Sequence, residues 1–277
     1  MTILCAFAAH AQDDKRDDIF YASDTERPVV LAKKFVRNTL IDQKEIWTSP
    51  FHMRRGDAKW WLIFGGATAA LIATDRKVSR ALPNTSDQKV ISRYIAQPGA
   101  AYTTLPVAAG FYIIGALVDS AKARETGVLS FEALTDSAIV VTVLKSVTQR
   151  ERPEQNAGNG RFFAGGNGFP SGHSILGWSL ASVVAHEYHD SAFVPLVAYG
   201  LAGLVSVSRV TGRNHFPSDV VVGGGMGWFI GRYVYQTHQD HALHKHAGAW
   251  ARPSVAPMVG GGTYGVALAW TPYADKN

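Results

Sequence analysis

The sequence predicts an all-α protein: a helical bundle of about six core helices, with an amphipathic helix before it and a small β-hairpin after it. Two observations carry the bundle. Six apolar runs, each about 12–17 residues long, recur between residues 60 and 235. None of them alternates strictly between apolar and polar positions, so their length and pattern suit helices. Charge is also segregated: residues 12–59 and 232–252 are rich in charged and histidine side chains, while the apolar runs fill the stretch between.

A chain of 277 residues can bury a sizeable core. Its 47% hydrophobic and 18% charged content is low in charge for a soluble protein. Its mean hydropathy of -0.01 is nevertheless low for a chain lying wholly in a membrane. The net charge of +5 suits an anionic substrate or an anionic lipid surface. It is too small to argue for nucleic acid, and no nucleic-acid-binding motif is present. Cys5 is the single cysteine. It lies in an apolar start that ends Ala9-His10-Ala11, a small-x-small cleavage signature before a charged run. Residues 1–11 therefore look like the tail of a secretory signal, which predicts export to the cell envelope, membrane or periplasm. Cleavage there would leave no cysteine for disulfides or thiol chemistry.

In chain order, residues 12–27 are polar. From Pro28 to about Ile46, the residues Val30, Leu31, Phe35, Val36 and Leu40 fall at helical spacing among Lys and Arg, which predicts the amphipathic helix. The apolar runs follow at 60–74, 102–118, 131–147, 174–185, 192–207 and 220–235, the first closed by Asp75-Arg76-Lys77. A comfortable membrane span needs roughly 20 residues. The runs thus fit a membrane-embedded bundle whose ends reach the interface, and also a soluble bundle with an apolar core. Glycine clusters such as Gly223-Gly224-Gly225 permit close helix packing in either medium. The glycine-rich loop 156–168 reads as a flexible connection or a mobile lip. His238, His241, His244 and His246 share a helical spacing that suggests one face, read as a solvated basic helix end, with metal binding as the alternative. The alternation around Gly260, with Val266, Leu268 and Trp270, predicts the hairpin. The expected organisation is a signal remnant (1–11), a polar segment with the amphipathic helix (12–57), a helical domain (58–238) and a tail (239–277).

Three segments carry chemistry. In the first, Lys145 and Arg152 are seven apart, two helical turns, and so are expected on one face where they can grip a polyanion. In the second, Pro170-Ser171-Gly172-His173 precedes a helix. Backbone N–H groups at a helix start bind anions, Gly172 admits close approach, Ser171 adds a hydroxyl and His173 sits at the edge. In the third, Ser208-Arg209 is followed by His215 and Asp219. Arg209 adds a forked cation, and Asp219 lies within reach of one ring nitrogen of His215, which leaves the other to attack. Cations, an anion nest, two imidazoles and a carboxylate are what displacement at phosphorus requires. Arg150, Arg213 and Asn214 lie in the same segments without a role that the sequence assigns.

The pattern Lys-x6-Arg-Pro, Pro-Ser-Gly-His, Ser-Arg-x5-His-x3-Asp resembles the type 2 phosphatidic acid phosphatase / vanadium-dependent haloperoxidase superfamily, with all eleven specified positions matched in order between Lys145 and Asp219. The resemblance covers residues from about 60 to 236. It implies that His215 is the nucleophile, forming a phosphohistidine, and that Asp219 orients it. His173 is then the acid for the leaving alcohol and later the base for water. Lys145, Arg152, Arg209, Ser171 and the Gly172 N–H hold phosphate oxygens. No cofactor and no metal are expected. The implied activity is a phosphatase acting on a phosphate monoester or diphosphate of a lipid. A soluble periplasmic acid phosphatase of broad specificity and, further off, a vanadate-dependent haloperoxidase are the alternatives. The expected partners are a phosphorylated lipid or small phosphate ester and a membrane, with no nucleic acid.

Overall fold

The structure is a computed structural model that describes residues 28–51, 55–239, 252–260 and 263–271. Eight α-helices occupy the described residues: α1 (Pro28–Thr48), α2 (Arg55–Ala81), α3 (Ser86–Ala96), α4 (Ala101–Leu117), α5 (Ala121–Thr148), α6 (Gly172–Glu187), α7 (Phe193–Thr211) and α8 (Pro217–His238). Two antiparallel strands follow, β1 (Arg252–Gly260) and β2 (Thr263–Thr271), paired from Arg252 opposite Thr271 to Gly260 opposite Thr263. The chain divides into two compact units, Met1–Gln239 and Asp240–Asn277. The hairpin is thus present in the second unit, two residues longer at its start than the alternation suggested. The signal remnant, Cys5, residues 12–27, His241, His244 and His246 lie outside the described residues.

The core of the helical unit is built by α5, α6 and α8, with Leu129, Ala133, Val140, Ile175, Val183, Ile230 and Val234 buried together. What brings α8 against α6 is a row of glycines one helical turn apart. A Cβ on Gly223 would stand 2.7 Å from the carbonyl oxygen of Ser171, one on Gly227 2.2 Å from that of Ile175, and one on Gly231 2.4 Å from that of Ser179. Those three acceptors are also spaced by four residues, so the two backbones run in contact for two turns. Only hydrogen fits there, as at other small-residue helix contacts. The N-terminal ends of both helices are thereby fixed side by side, and both carry site residues.

Several elements differ from the sequence expectation. The short helix α3, broken up by Asp87, Lys89 and Arg93, shows no apolar run and was not expected; Thr85 caps it by accepting from Gln88 N–H at 3.3 Å. Helix α5 begins ten residues before the apolar run, because Ser120 caps it and its first half buries polar side chains: Glu125, Ser130 and Glu132. Helix α2 runs six residues beyond Asp75, which is buried inside it rather than ending it. Helix α1 faces the bundle with a mixed stripe: Leu31 packs against the core and the Phe35 ring lies 5.5 Å from that of Phe131, while Asn38, Thr39 and Asp42 are also buried and Val36 and Leu40 are exposed. Asp42 meets His238 of α8, and its neighbour Gln43 donates to Asp136 of α5.

Large apolar side chains cover the outside of the bundle. On α7, Leu196 is 71% exposed, and Leu201, Leu204 and Val207 follow on the same outer surface. An apolar surface of that kind is costly in water and neutral in lipid. Three stretches are long and apolar enough to cross a membrane: Ser86–Leu117 (α3 with α4), Ala121–Thr148 and Phe193–Thr211. Between α4 and α5 runs an apolar groove of about 500 Å³, lined by Leu105, Phe131, Ile139, Val143 and, from α6, Leu176.

Candidate functional site

The site forms where the C-terminal end of α5, the start of α6, the end of α7 and the start of α8 meet. At the end of α5, Gln149 takes a left-handed cap (φ 44°) and the helix stops at Thr148. Lys145 and Arg152 are therefore not on one helix face, as the spacing had suggested. They meet through Asn167: the ammonium of Lys145 donates to the Asn167 carbonyl, and Arg152 Nε donates to its side-chain oxygen at 2.8 Å. The glycine-rich loop is accordingly part of the site's framework rather than a loose lip. Its backbone is pinned by Gly166 N–H on Gln149 O (2.9 Å) and Gly168 N–H on Arg150 O (2.7 Å). Buried Glu151 adds to this by accepting from Arg161 and Asn156.

Ser171 occupies the N-cap position of α6 without capping it. Its backbone N–H donates to Asp219 O at 2.9 Å, and its buried hydroxyl accepts from Ser174 Oγ at 3.1 Å, leaving its own proton to offer. Gly172 and His173 open the first turn. Arg209, in the last turn of α7, uses its carbonyl to accept from the N–H groups of Asn214 and His215, both at 3.1 Å. That turn delivers His215, and the short link sends the chain straight into α8. The Arg209 Nε is buried and has no hydrogen-bond partner among the described residues.

The His215 ring is buried, and the hydrogen bond of its Nδ1 is not to Asp219 in the first place. Nδ1 lies 2.7 Å from Gly168 O and 3.5 Å from Asp219 Oδ2. A carbonyl only accepts, so Nδ1 carries the proton and Nε2 is left with its lone pair. Asp219 Oδ2 instead accepts from Phe216 N–H at 2.8 Å, capping α8. Burial pushes the His215 pKa down, opposed by Asp219. The His173 pKa falls to about 4, first through burial, then through the positive charge of Arg209 and its neighbours. Both imidazoles thus stand neutral beside three cations, a field that an anion would relieve.

Sequence reasoning left Arg150 without a role and took Asp75 as a helix-end charge. Together they form a closed knot under the site. Arg150 is 2% exposed. Its Nη1 donates to Asp219 Oδ1 (2.5 Å) and Ser218 Oγ (2.7 Å), its Nη2 to Asp75 Oδ2 (2.7 Å), and its Nε to Gly160 O (3.2 Å). The guanidinium is stacked between the rings of Phe162 and Phe216, 4.7 and 4.5 Å from their centroids. Asp75 also accepts from the Ser218 N–H at 3.0 Å. The only sequence signal for Asp75 is a carboxylate directly abutting an apolar run, which many helix ends share. Arg213 points away: its Nη1 donates to the carbonyls of Ser79 and Leu82 at 2.6 and 3.2 Å, closing the end of α2.

The chain is similar to several known proteins. The sequence model of the PAP2 superfamily matches residues 127–242. A lipid A 1-phosphatase of Porphyromonas gingivalis is 30% identical over 70 residues; the match takes in 25% of this chain and spans only 16% of that relative's length. Among solved structures, the transmembrane PAP2-type phosphatidylglycerolphosphate phosphatase of Bacillus subtilis superposes at a TM-score of 0.52 with 25% identity, covering 65% of this chain and 94% of that one. Aquifex aeolicus LpxE superposes at 0.46 with 21% identity, over 59% and 93% of the two chains. All four site-bearing ends fall within the segment, residues 127–242, that matches the PAP2 superfamily model.

Proposed function

We propose that the protein is a phosphoric ester hydrolase of the cell envelope that removes phosphate from a lipid phosphate monoester or diphosphate, with the work done by the helical domain, residues 58–238. The observation that carries the reading is the meeting of Lys145, Arg152 and Arg209 around two neutral imidazoles, with none of the three ion-paired to a carboxylate among the described residues. Asp219, the nearest acid, is already engaged by Arg150. A bound phosphate supplies the missing negative charge, and its equatorial oxygens take the three cations, the Ser171 hydroxyl and the Gly172 N–H.

His215 Nε2 attacks phosphorus in line with the leaving oxygen. The N–P bond forms as the P–O bond to the alcohol breaks, and His173, protonated once the phosphate is bound, gives its proton to that oxygen. The Nδ1–H stays on the Gly168 carbonyl, and Asp219 offsets the positive charge that grows on the ring. His173, now neutral, then takes a proton from water. The hydroxide oxygen bonds to phosphorus, the N–P bond breaks and inorganic phosphate leaves. The reading requires neither a metal nor a cofactor in the reaction.

A lipid as the organic part is supported by the apolar exterior and by the groove between α4 and α5. Thr142 and Leu176 line that groove one turn from Lys145 and His173, so an acyl chain lying there places its headgroup at the cations. The Bacillus subtilis relative named above acts on such a lipid, which adds support. The test is a phosphate-release screen of the purified protein in detergent, without added metal, on lipid and soluble phosphate esters. Release from lipid phosphates that His215→Ala abolishes is the expected result. Release from soluble esters alone, or full activity in His215→Ala, contradicts the proposal.

A further inference from the structure

At the far end of α8 lies a second polar cluster that the phosphate chemistry does not use. His238 closes the helix, 19 residues beyond Asp219, which at 1.5 Å per residue places it about 28 Å from the phosphate end. Its Nε2 stands 2.9 Å from Asp42 Oδ1 on α1 and 3.6 Å from Glu132 Oε1 on α5, and all three side chains are fully buried. The three ligand atoms lie within 4.8 Å of one another. Asp136, one turn along α5 from Glu132, sets its carboxyl against Asp42 as well. Its Oδ1 accepts from Gln43 Nε2 at 2.9 Å, while its Oδ2 is buried and accepts nothing. Tyr233 faces Asp42 from α8.

We infer that Asp42, Glu132 and His238, with Asp136 as the fourth donor, form a structural site for a divalent cation of the first transition row, Zn²⁺ foremost. Two independent observations point to a ligand. The first is geometric. Bonds of about 2.0–2.1 Å to nitrogen and oxygen give tetrahedral ligand–ligand edges of roughly 3.3 Å, and the two edges from His238 Nε2 fall on either side of that length. The second is the unpartnered Asp136 oxygen, held out of water beside the other carboxylates. These groups carry net negative charge even with the imidazole protonated, and buried like charges need a cation or protons to persist. One imidazole with carboxylate oxygens is a donor set that suits zinc or manganese better than calcium. The site would tie α1 to α5 and α8. It also explains why Asp42 on α1 and His238 at the end of α8 are buried.

The probe is Zn²⁺ itself, with the full chain in detergent. After dialysis into metal-free buffer, elemental analysis is expected to find about one zinc per chain. Stripping with a strong chelator lowers the unfolding temperature, and Zn²⁺, with Mn²⁺ weaker and Ca²⁺ without effect, restores it. His238→Ala abolishes the bound zinc and the shift. If that variant does not fold, Glu132→Gln is expected to weaken zinc binding at least tenfold in a titration. Phosphate release by the stripped protein, assayed below its unfolding temperature, stays within twofold of the untreated value. Less than a tenth of an equivalent of metal in the wild type after zinc supplementation, with no thermal shift on adding Zn²⁺, overturns the inference, and the cluster is then a proton-sharing carboxyl–imidazole group. Zinc that remains bound in His238→Ala overturns it equally. Loss of phosphate release with zinc intact bears on the proposed function and leaves this site untouched.

Discussion

Two sets of positive charge, the fully buried Arg150 and the group of half-buried Lys145 and Arg152 with buried Arg209, are treated in opposite ways. Arg150 is matched on all sides: two carboxylates, a hydroxyl, a carbonyl and two aromatic faces take up its donors and its planes. Lys145, Arg152 and Arg209 have between them the two oxygens of Asn167, and one guanidinium nitrogen of Arg209 has no hydrogen-bond partner among the described residues. A buried cation without its anion costs several kcal/mol, so a fold keeps one only if something else completes it. The difference separates scaffold from binding site. Arg150 holds Asp219 and α2 in place, and on the proposed function the other three take up the anion of the substrate.

That distinction breaks first at Arg150. Arg150→Met leaves Asp75 and Asp219 buried without their cation, and the expected cost is about 3–5 kcal/mol of stability, read from chemical unfolding. Adding Asp75→Asn is expected to return part of it, because the two residues are coupled and their effects do not add. Arg209→Ala is the converse. Its kcat/KM for phosphate release falls roughly 10²–10³-fold, while the unfolding midpoint holds or rises, since a like-charge contact is gone. A comparable stability loss in both variants would erase the contrast.

Smaller effects separate the two imidazoles. His173→Ala is expected to slow poor leaving groups about 10²-fold more than nitrophenol, because only the former need a proton. The pH profile sharpens the same point. In the free site burial, and after it the cations, hold the His173 pKa at about 4, so the protonated acid is lost early as pH rises and kcat/KM falls early. A bound phosphate raises that pKa, and the falling limb of kcat is expected at higher pH than that of kcat/KM. Coincident limbs would mean that His173 does not sense the substrate's charge.

How much of this was legible in the sequence follows the same divide. The ligand-facing residues sit in three short segments whose chemistry can be read locally, and the structure brings those segments together. The scaffold around them was not legible. Asp75 and Arg150 are 75 positions apart and become partners only when α2 packs beside the loop after α5. The Gly168 carbonyl, which takes the His215 proton ahead of Asp219, is a backbone group with no side-chain signature. The inward face of α1 was half legible: apolar spacing marks Leu31 and Phe35, which pack inward, but not Asp42, which is buried where α5 and α8 offer carboxylates and a histidine. Gly223 was read only as part of a permissive cluster with Gly224 and Gly225, and Gly227 and Gly231 were not read at all; the register of Gly223, Gly227 and Gly231 against Ser171, Ile175 and Ser179 shows how closely α8 meets α6.

The central claim is that His215, its Nδ1 proton fixed on Gly168, attacks phosphorus with Nε2. Rapid-quench mass spectrometry during turnover of a lipid phosphate tests it most directly. The account predicts an acid-labile phosphoryl group on Nε2 of His215, absent from His215→Asn. Turnover with no phosphoryl group on the chain, or with one on His173, would contradict it.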